Sequence, residues 1–421
     1  MKFKEIADGI NIGFEMPKRF KTSALSVSFC LIPEGKEAAA NALALFLMKT
    51  GCGKYSTDRE LELKLGELYG ADIDVSVQKL GDRFKYSITL YCLNGKFADS
   101  DNLTEQAVDL LFDLIFEKYS PDDICVKNNF AREKRLLQEK IRGEINDKRI
   151  YATNKMISEM CEGEPYGEGV YGSLADAQSL TENDVHEAFK RLLGNALINV
   201  ICLETEDGEK IIEKLKNAFH GIKRDYSPLK SDTVKKADKV KKLSENMDIT
   251  QAKLVMGLRS ETAGDDRETA AQFVMCDVFG GGPHSKLFTV VREKMSLCYY
   301  CSASLRRRKG IMIISSGVEP QNTEKAEKAI LEQLDRVKNG EFSEDDLAKS
   351  KRYLTGNIKG VEDELSMLLE WYSVRAAYSF DAPSPSKACE YIEAVTASDV
   401  KNAALGFDVD TIFVLSPKED K

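Results

Sequence analysis

The chain has 421 residues, 43% of them hydrophobic and 31% charged, with a net charge of -9 at pH 7. That length leaves room for two domains with full cores, and the acidic balance excludes a general nucleic-acid binder, which needs a basic face. The most continuous apolar stretch, Ala42 to Met48, is far too short to span a bilayer, and nothing after Met1-Lys2-Phe3-Lys4 reads as a signal peptide. The expectation is no membrane, a cytoplasmic location, and ten cysteines (Cys30, Cys92, Cys202 and Cys276 among them) that are reduced core residues.

In chain order, Ala24 to Ile32 reads as an apolar strand. Glu37 to Lys49 reads as a helix apolar almost all round, and therefore buried. Thr57-Asp58-Arg59-Glu60 is a capping box opening a helix to Leu68. Ile73, Val75 and Val77, then Phe84, Tyr86, Ile88 and Leu90, alternate with polar residues around Gly81-Asp82, the pattern of a β-hairpin. Helices follow over Leu103 to Lys118, Pro121 to Ile145, Ile150 to Glu162 and Glu182 to Leu193, with a closing strand Leu197 to Leu203. The second half predicts a strand Ala252 to Leu258, a helix Glu268 to Phe279 and a hairpin Cys298 to Gly317. Helices Thr323 to Asn339, Glu344 to Lys359 and Ala397 to Ala404 come next, then a strand Thr411 to Leu415. The whole is an α+β pattern with antiparallel sheets.

The two halves repeat. Tyr119-Ser120-Pro121-Asp122-Asp123-Ile124 recurs as Phe342-Ser343-Glu344-Asp345-Asp346-Leu347. Leu180-Thr181-Glu182-Asn183-Asp184-Val185 recurs as Val395-Thr396-Ala397-Ser398-Asp399-Val400. The segment ending Pro33-Glu34-Gly35 recurs as that ending Thr262-Ala263-Gly264. A single Ser/Thr-x-x-Asp/Glu cap arises by chance, but three recurrences in the same order at offsets of 223, 215 and 229 residues point to a duplicated domain. The join, Lys223 to Met247, carries six lysines between Lys230 and Lys242 and reads as a solvated linker. The expected domains are 1–222, the linker 223–247, and 248–421.

Gly280-Gly281-Gly282-Pro283-His284-Ser285-Lys286-Leu287-Phe288, then Val291-Arg292-Glu293-Lys294-Met295-Ser296-Leu297-Cys298-Tyr299, resembles the second-half signature of the M16 peptidases, the pitrilysin-like or insulinase-like proteins that include the mitochondrial processing peptidases. The family pattern is a Gly-rich turn, Ser-x-Leu-Phe, then Arg-Glu-Lys-x-Gly-Leu-x-Tyr; here Ser296 stands in place of the last Gly. The resemblance implies two repeated LuxS/MPP-like α+β halves forming a clamshell. Active members carry His-x-x-Glu-His on the first helix of the first half: two imidazoles on one helical face bind Zn²⁺ and the Glu is the general base. Here the corresponding residues are Ala42, Leu45 and Phe46. The only histidines, His186, His220 and His284, are no closer than 34 residues, so no helical pair can form. The family's third ligand, a Glu on the later long helix, falls on Glu139 or Lys140, an alternative the sequence leaves open.

By the same resemblance, Arg292 and Tyr299 match the pair that holds substrate across the cavity in active relatives. Gly281 and Gly282 match a glycine loop that serves as a flexible lip in non-catalytic processing-peptidase subunits. Against these stand plainer readings: Arg292 pairing on its own helix, Tyr299 packing in the sheet, and a tight turn at the glycines. Cys298-Tyr299-Tyr300-Cys301 is formally Cys-x-x-Cys, but positions i and i+3 of a regular strand face opposite ways, which argues against a redox or metal site. His284 reads as a surface or capping residue. Asn146 to Ala152 and Glu164 to Gly167 are similar to a zinc-motif-lacking bacterial subgroup named for association with modification of translation elongation factor P. The resemblance thus implies a non-enzyme without cofactor or metal that binds extended polypeptide. Its partner would be a related zinc-bearing M16 chain in a heterodimer, or a second copy in a homodimer. A purely structural assembly subunit is the alternative, and a metallopeptidase with unusual ligands is a remoter one.

Overall fold

The computed structural model describes residues 1–98, 102–117, 124–205 and 208–418. The Tyr119 to Asp123 part of the first repeat, the expected helix end at Lys118 and the expected helix start at Pro121 lie outside these. The chain divides into two compact units that each draw on both halves of the sequence: Met1–Arg142 with Gly169–Ser231 and Val361–Ser384, and Gly143–Glu168 with Asp232–Gly360 and Pro385–Lys421. The expected boundary at a linker and these units differ because one helix-bearing segment of each half packs with the unit of the other half.

The first unit is built on six strands: β1 (Phe3–Ala7), β2 (Ile10–Glu15), β3 (Thr22–Leu31), β4 (Asp72–Leu80), β5 (Arg83–Leu93) and β6 (Leu197–Leu203), in the order β1-β2-β6-β3-β5-β4. Only β2 and β6 run parallel. The hairpin expected around Gly81 is β4–β5, and Gly81 takes the φ of +61° that its tight turn demands. One face of the sheet carries helices α1 (Glu37–Met48), α2 (Asp58–Glu67) and α3 (Leu103–Phe116). The other face carries the exchanged helix Leu365–Ala376, whose Leu365, Leu368, Leu369 and Tyr372 pack on Ala24, Ile201 and Leu203. Sequence reading missed this helix; its Leu365-Ser366-Met367-Leu368-Leu369-Glu370-Trp371-Tyr372 run is too evenly apolar to show a period.

The second unit has five strands: β7 (Lys241–Met247), β8 (Ala252–Arg259), β9 (Cys298–Arg306), β10 (Ile311–Val318) and β11 (Asp408–Pro417), in the order β7-β11-β8-β10-β9. Strand β7 lies inside the stretch read as a linker. It is an edge strand, parallel to β11, with Leu243, Glu245 and Met247 half-buried and the residues between them exposed. Lysine is common on exposed edges because it discourages further pairing, so its density here misled the composition argument. The exchanged helix α5 (Lys148–Met160) packs Ala152, Met156, Ile157 and Met160 on Val255, Ile311, Ile313 and Phe413. Gly257 on β8 permits that approach, since a Cβ there would lie 2.4 Å from the Met160 sulfur.

Each exchanged segment is tied to its sheet by a buried lysine. In the first unit Lys85 Nζ donates to Glu370 Oε2 at 2.8 Å and to Ser373 Oγ at 2.9 Å. In the second, Glu164 accepts from Arg259 at 2.7 Å and from Lys309 at 2.9 Å. The repeat also shows in the caps: Thr181 with Asp184 and Thr396 with Asp399 form the same reciprocal capping box. Ser343 and Asp346 exchange bonds likewise.

Candidate functional site

Helix α1 places the three positions where the resemblance expects zinc chemistry. It is apolar on nearly every face, and Ala42 and Leu45 are fully buried in the core of the first unit. Its register is set by the turn after it: Thr50 Oγ donates to Leu47 O at 2.8 Å, and Gly51 sits at φ +117° where a Cβ would strike Tyr55 O. Phe46, one turn after Ala42 on the same face, is half-buried. Of the two residues left open for the third ligand, Lys140 is the one near Phe46: on helix α4 (Ile124–Gly143), Lys140 Nζ lies 5.7 Å from the Phe46 ring centre and 5.1 Å from that of Tyr171. Glu139 instead pairs with Arg135 at 2.8 Å on an exposed face. An ammonium over two rings is no metal ligand. These residues do not fit a zinc ion, and no group of three or more His, Cys, Asp or Glu able to hold a metal occurs among the described residues.

Beside Phe46 opens a cleft of about 370 Å³. Phe46, Leu61, Leu65 and Ile73 give it an apolar floor, while Asp58, Arg132 and Glu133 stand at its polar side. Arg132 bonds Asp58 at 2.7 Å and Glu133 at 2.9 Å, so the charges there are already paired. Asp72, Ile73 and Val75 of β4 form one wall. That strand ends the sheet order, and its outer edge has no strand partner among the described residues. Sequence reading missed this cleft, because it joins α1, α2, α4 and β4 and no motif spans them.

In the second unit the helix Ala270–Cys276 runs into a wide turn, Asp277–Gly281, and a second such turn covers Leu287–Lys294. The Gly-rich segment between them is closely packed. A Cβ on Gly280 would lie 2.7 Å from Leu287, one on Gly281 2.5 Å from Asp277 Oδ1, and one on Gly282 2.5 Å from the His284 ring. This geometry is that of a tight turn rather than of a loose lip. His284 is not a surface residue: its Nε2 meets Asp277 Oδ2 at 2.8 Å and Ser350 Oγ at 2.9 Å. Burial pushes the Asp277 carboxyl up. Both partners share one ring nitrogen, so the trio is a lock and not a Ser-His-Asp relay, which needs the two nitrogens separately.

Arg292 is partly exposed, 3.6 Å from Glu293 and with its guanidinium 4.5 Å from the centre of the Phe288 ring. Tyr299 on β9 is 58% exposed, and its hydroxyl donates to Glu319 at 3.3 Å. Tyr299 is thus presented outward rather than packed in the sheet, while Arg292 meets partners on its own helical segment. The missing family glycine is explained as well: Ser296, between them, takes φ +51°, a left-handed conformation that favours glycine.

Residues 179–354 match the family model described as the peptidase M16 inactive domain. Across nearly its whole length the chain is similar to a Bacillus subtilis protein, YmfF, described as a probable inactive metalloprotease: 27% identity over 412 residues, 98% of this chain and 96% of that one. The chain is thus similar to M16 peptidase homologues described as inactive. Its fold is likewise that of solved M16-type structures. A conserved protein from Enterococcus faecalis superposes with a TM-score of 0.90 at 22% identity, covering 100% of this chain and 99% of that one. A peptidase M16 inactive domain from Pseudomonas fluorescens gives 0.81 at 16% identity, covering 100% and 98%. The fold of these structures is therefore kept, and of the three positions where the resemblance expects zinc chemistry Ala42 and Leu45 lie in the core while Phe46 lines the cleft.

The Cys-x-x-Cys of β9 also differs from its expected geometry. The pairing with β10 runs Ser316↔Cys301, Gly317↔Tyr300, then Val318↔Cys298, so Tyr299 is an extra, bulged residue. Ser316 and Val318 share a face, which places Cys298 and Cys301 on one face too. No helix among the described residues is long and apolar enough to cross a membrane.

Proposed function

We propose that this chain is a non-catalytic M16 homologue that binds extended polypeptide, and that any peptide cleavage belongs to a zinc-bearing M16 chain with which it pairs. The observation that carries this reading is the outer edge of β4, without a strand partner among the described residues, beside the cleft that Phe46 lines. A segment added to that edge gains main-chain hydrogen bonds with little sequence demand, and the apolar floor accepts one aliphatic or aromatic side chain per register. In the second unit, taken by itself, Arg292 and Tyr299 offer donors to a peptide carbonyl bound there. The partner is a related heterodimer subunit or, failing that, a second copy. All ten cysteines are free thiols, nine of them buried, which suits a reducing cytoplasm.

The test is titration of extended peptides and of the same peptides N-methylated at alternate residues. Strand addition uses main-chain N–H groups on one side only, so one methylation frame abolishes binding and the other spares it. Equal binding of both frames, or no binding of any extended peptide, removes the peptide site and leaves a structural assembly subunit.

A further inference from the structure

Cys298 stands apart from the other nine cysteines. It alone is not buried, while Cys301 is 5% exposed and faces the core of the second unit. The bulge at Tyr299 brings the two onto one face, opposite Val318 and Ser316. Two residues of an extended partner strand span about 6.5–7 Å, so the two Cα atoms lie near the upper end of the ~4.4–6.8 Å that a disulfide bridges. A regular strand would have kept these sulfurs on opposite faces, so the inserted Tyr299 is what makes their pairing possible.

We propose that Cys298 and Cys301 form a reversible dithiol–disulfide site, with Cys298 as the attacking thiol and Cys301 as the resolving one, oxidised by small-molecule disulfides such as oxidised glutathione. The Cys298 thiolate attacks one sulfur of the small disulfide, forming a mixed disulfide and releasing one small thiolate, which takes up a proton. Cys301 loses its proton and attacks the Cys298 sulfur, which forms the internal bond and releases the second small thiol. The two protein thiols are oxidised and one small disulfide is reduced to two thiols.

The division of roles follows from the surroundings. A hydrogen bond from Cys301, aided by Ser316 Oγ and by the positive charge of Arg292, holds the Cys298 thiol down at about 7 despite its partial burial. The same interaction and deeper burial push Cys301 well up. Burial pushes the Cys30, Cys52 and Cys92 thiols up to about 11 and those of Cys202 and Cys276 up to about 12, so they remain protonated and inert. The site lies in the bulge that presents Tyr299, so closing the bond also fixes the backbone of that residue.

The test is incubation of the folded chain at pH 7.5 with a graded ratio of oxidised to reduced glutathione, acid quenching, alkylation and peptide mapping. The expected result is an internal Cys298–Cys301 bond, a loss of two free thiols, and full recovery with dithiothreitol. Cys301→Ser should instead trap a stable glutathione adduct on Cys298, and Cys298→Ser should leave the thiol count unchanged by glutathione. A wild-type chain that keeps Cys298 free, or that stops at the mixed disulfide, overturns the proposal. So does a Cys301→Ser chain without an adduct.

Discussion

Replacing Glu164 by glutamine should loosen the second unit more than any other single change to a charged residue. Its two oxygens meet Arg259 Nη2 at 2.7 Å and Lys309 Nζ at 2.9 Å, and the three side chains are at most 2% exposed. Asp410 still meets Arg259 at 3.0 Å, but Lys309 loses the carboxylate that meets it at 2.9 Å. A glutamine amide keeps the volume and loses the charge, and its NH₂ is forced against a cation, since Lys235 also lies 3.2 Å from the oxygen that Arg259 meets. Breaking a buried ion pair on one side costs about 3–5 kcal/mol. At roughly 2–4 °C per kcal/mol for a unit of this size, the melting temperature should fall by about 6–20 °C. The pH dependence supplies a second check. Burial pushes the Glu164 carboxyl up, but hydrogen bonds and charge from Lys309 and Arg259 outweigh it and hold it below its ordinary 4.5. A depressed carboxylate contributes stability that is present above its unfolded value and is lost as pH falls through the folded one. The gap between wild type and Glu164→Gln should therefore be widest near neutrality and shrink below about pH 4.5. Thermal melts at pH 7 and pH 4 on both proteins decide it. A variant melting within about 2 °C of wild type at pH 7, against the several degrees expected, or a gap that widens in acid, would refute the reasoning.

The matching latch in the first unit should matter less: Lys85→Met leaves Glu370 in solvent, since that side chain is 43% exposed, and denaturant melts should show a loss under about 1.5 kcal/mol. Ser296→Gly should raise stability by about 1 kcal/mol by relieving the left-handed serine; an unchanged or lower midpoint would contradict the strain. Ala42→His with Leu45→Glu and Phe46→His should unfold the first unit rather than bind zinc, because two of the three sites are fully buried and each unpaired polar group costs about 1–3 kcal/mol. Elemental analysis and circular dichroism on the triple variant report both. Arg292→Ala and Tyr299→Phe should shift melting by no more than about 0.5 kcal/mol while weakening peptide affinity roughly tenfold to a hundredfold, read by titration.

Where sequence patterns were local, they carried through to the structure. The capping boxes at Thr57, Thr181 and Thr396, the β4–β5 hairpin and the buried α1 all follow from spacing within one short stretch of chain each. What failed was non-local. The exchange of Leu365–Ala376 and Lys148–Met160 between units leaves no trace in either segment's own pattern, because each is simply apolar on the face it buries. Strand β7 was hidden by lysines that suit an edge, whereas the alternation Ile10-Asn11-Ile12-Gly13-Phe14-Glu15 of β2 is a legible strand signal that the reading passed over. At the site, the loss of the zinc motif was plain from residue identity. The choice of Lys140 over Glu139 depended on which face of α4 turns toward Phe46, and one residue of helical phase decides that. The bulge at Tyr299 could not be read from sequence, since a single inserted residue changes every facing without changing composition.

The central proposal is that this M16-like scaffold holds peptide and does not cut it. One incubation tests it most directly: the purified chain, an extended peptide with a fluorescent end, and excess zinc, followed by anisotropy and then by mass spectrometry of the recovered peptide. The account predicts saturable binding, the same with and without a chelator, and intact peptide throughout. Cleavage that appears with zinc and stops on chelation would contradict it.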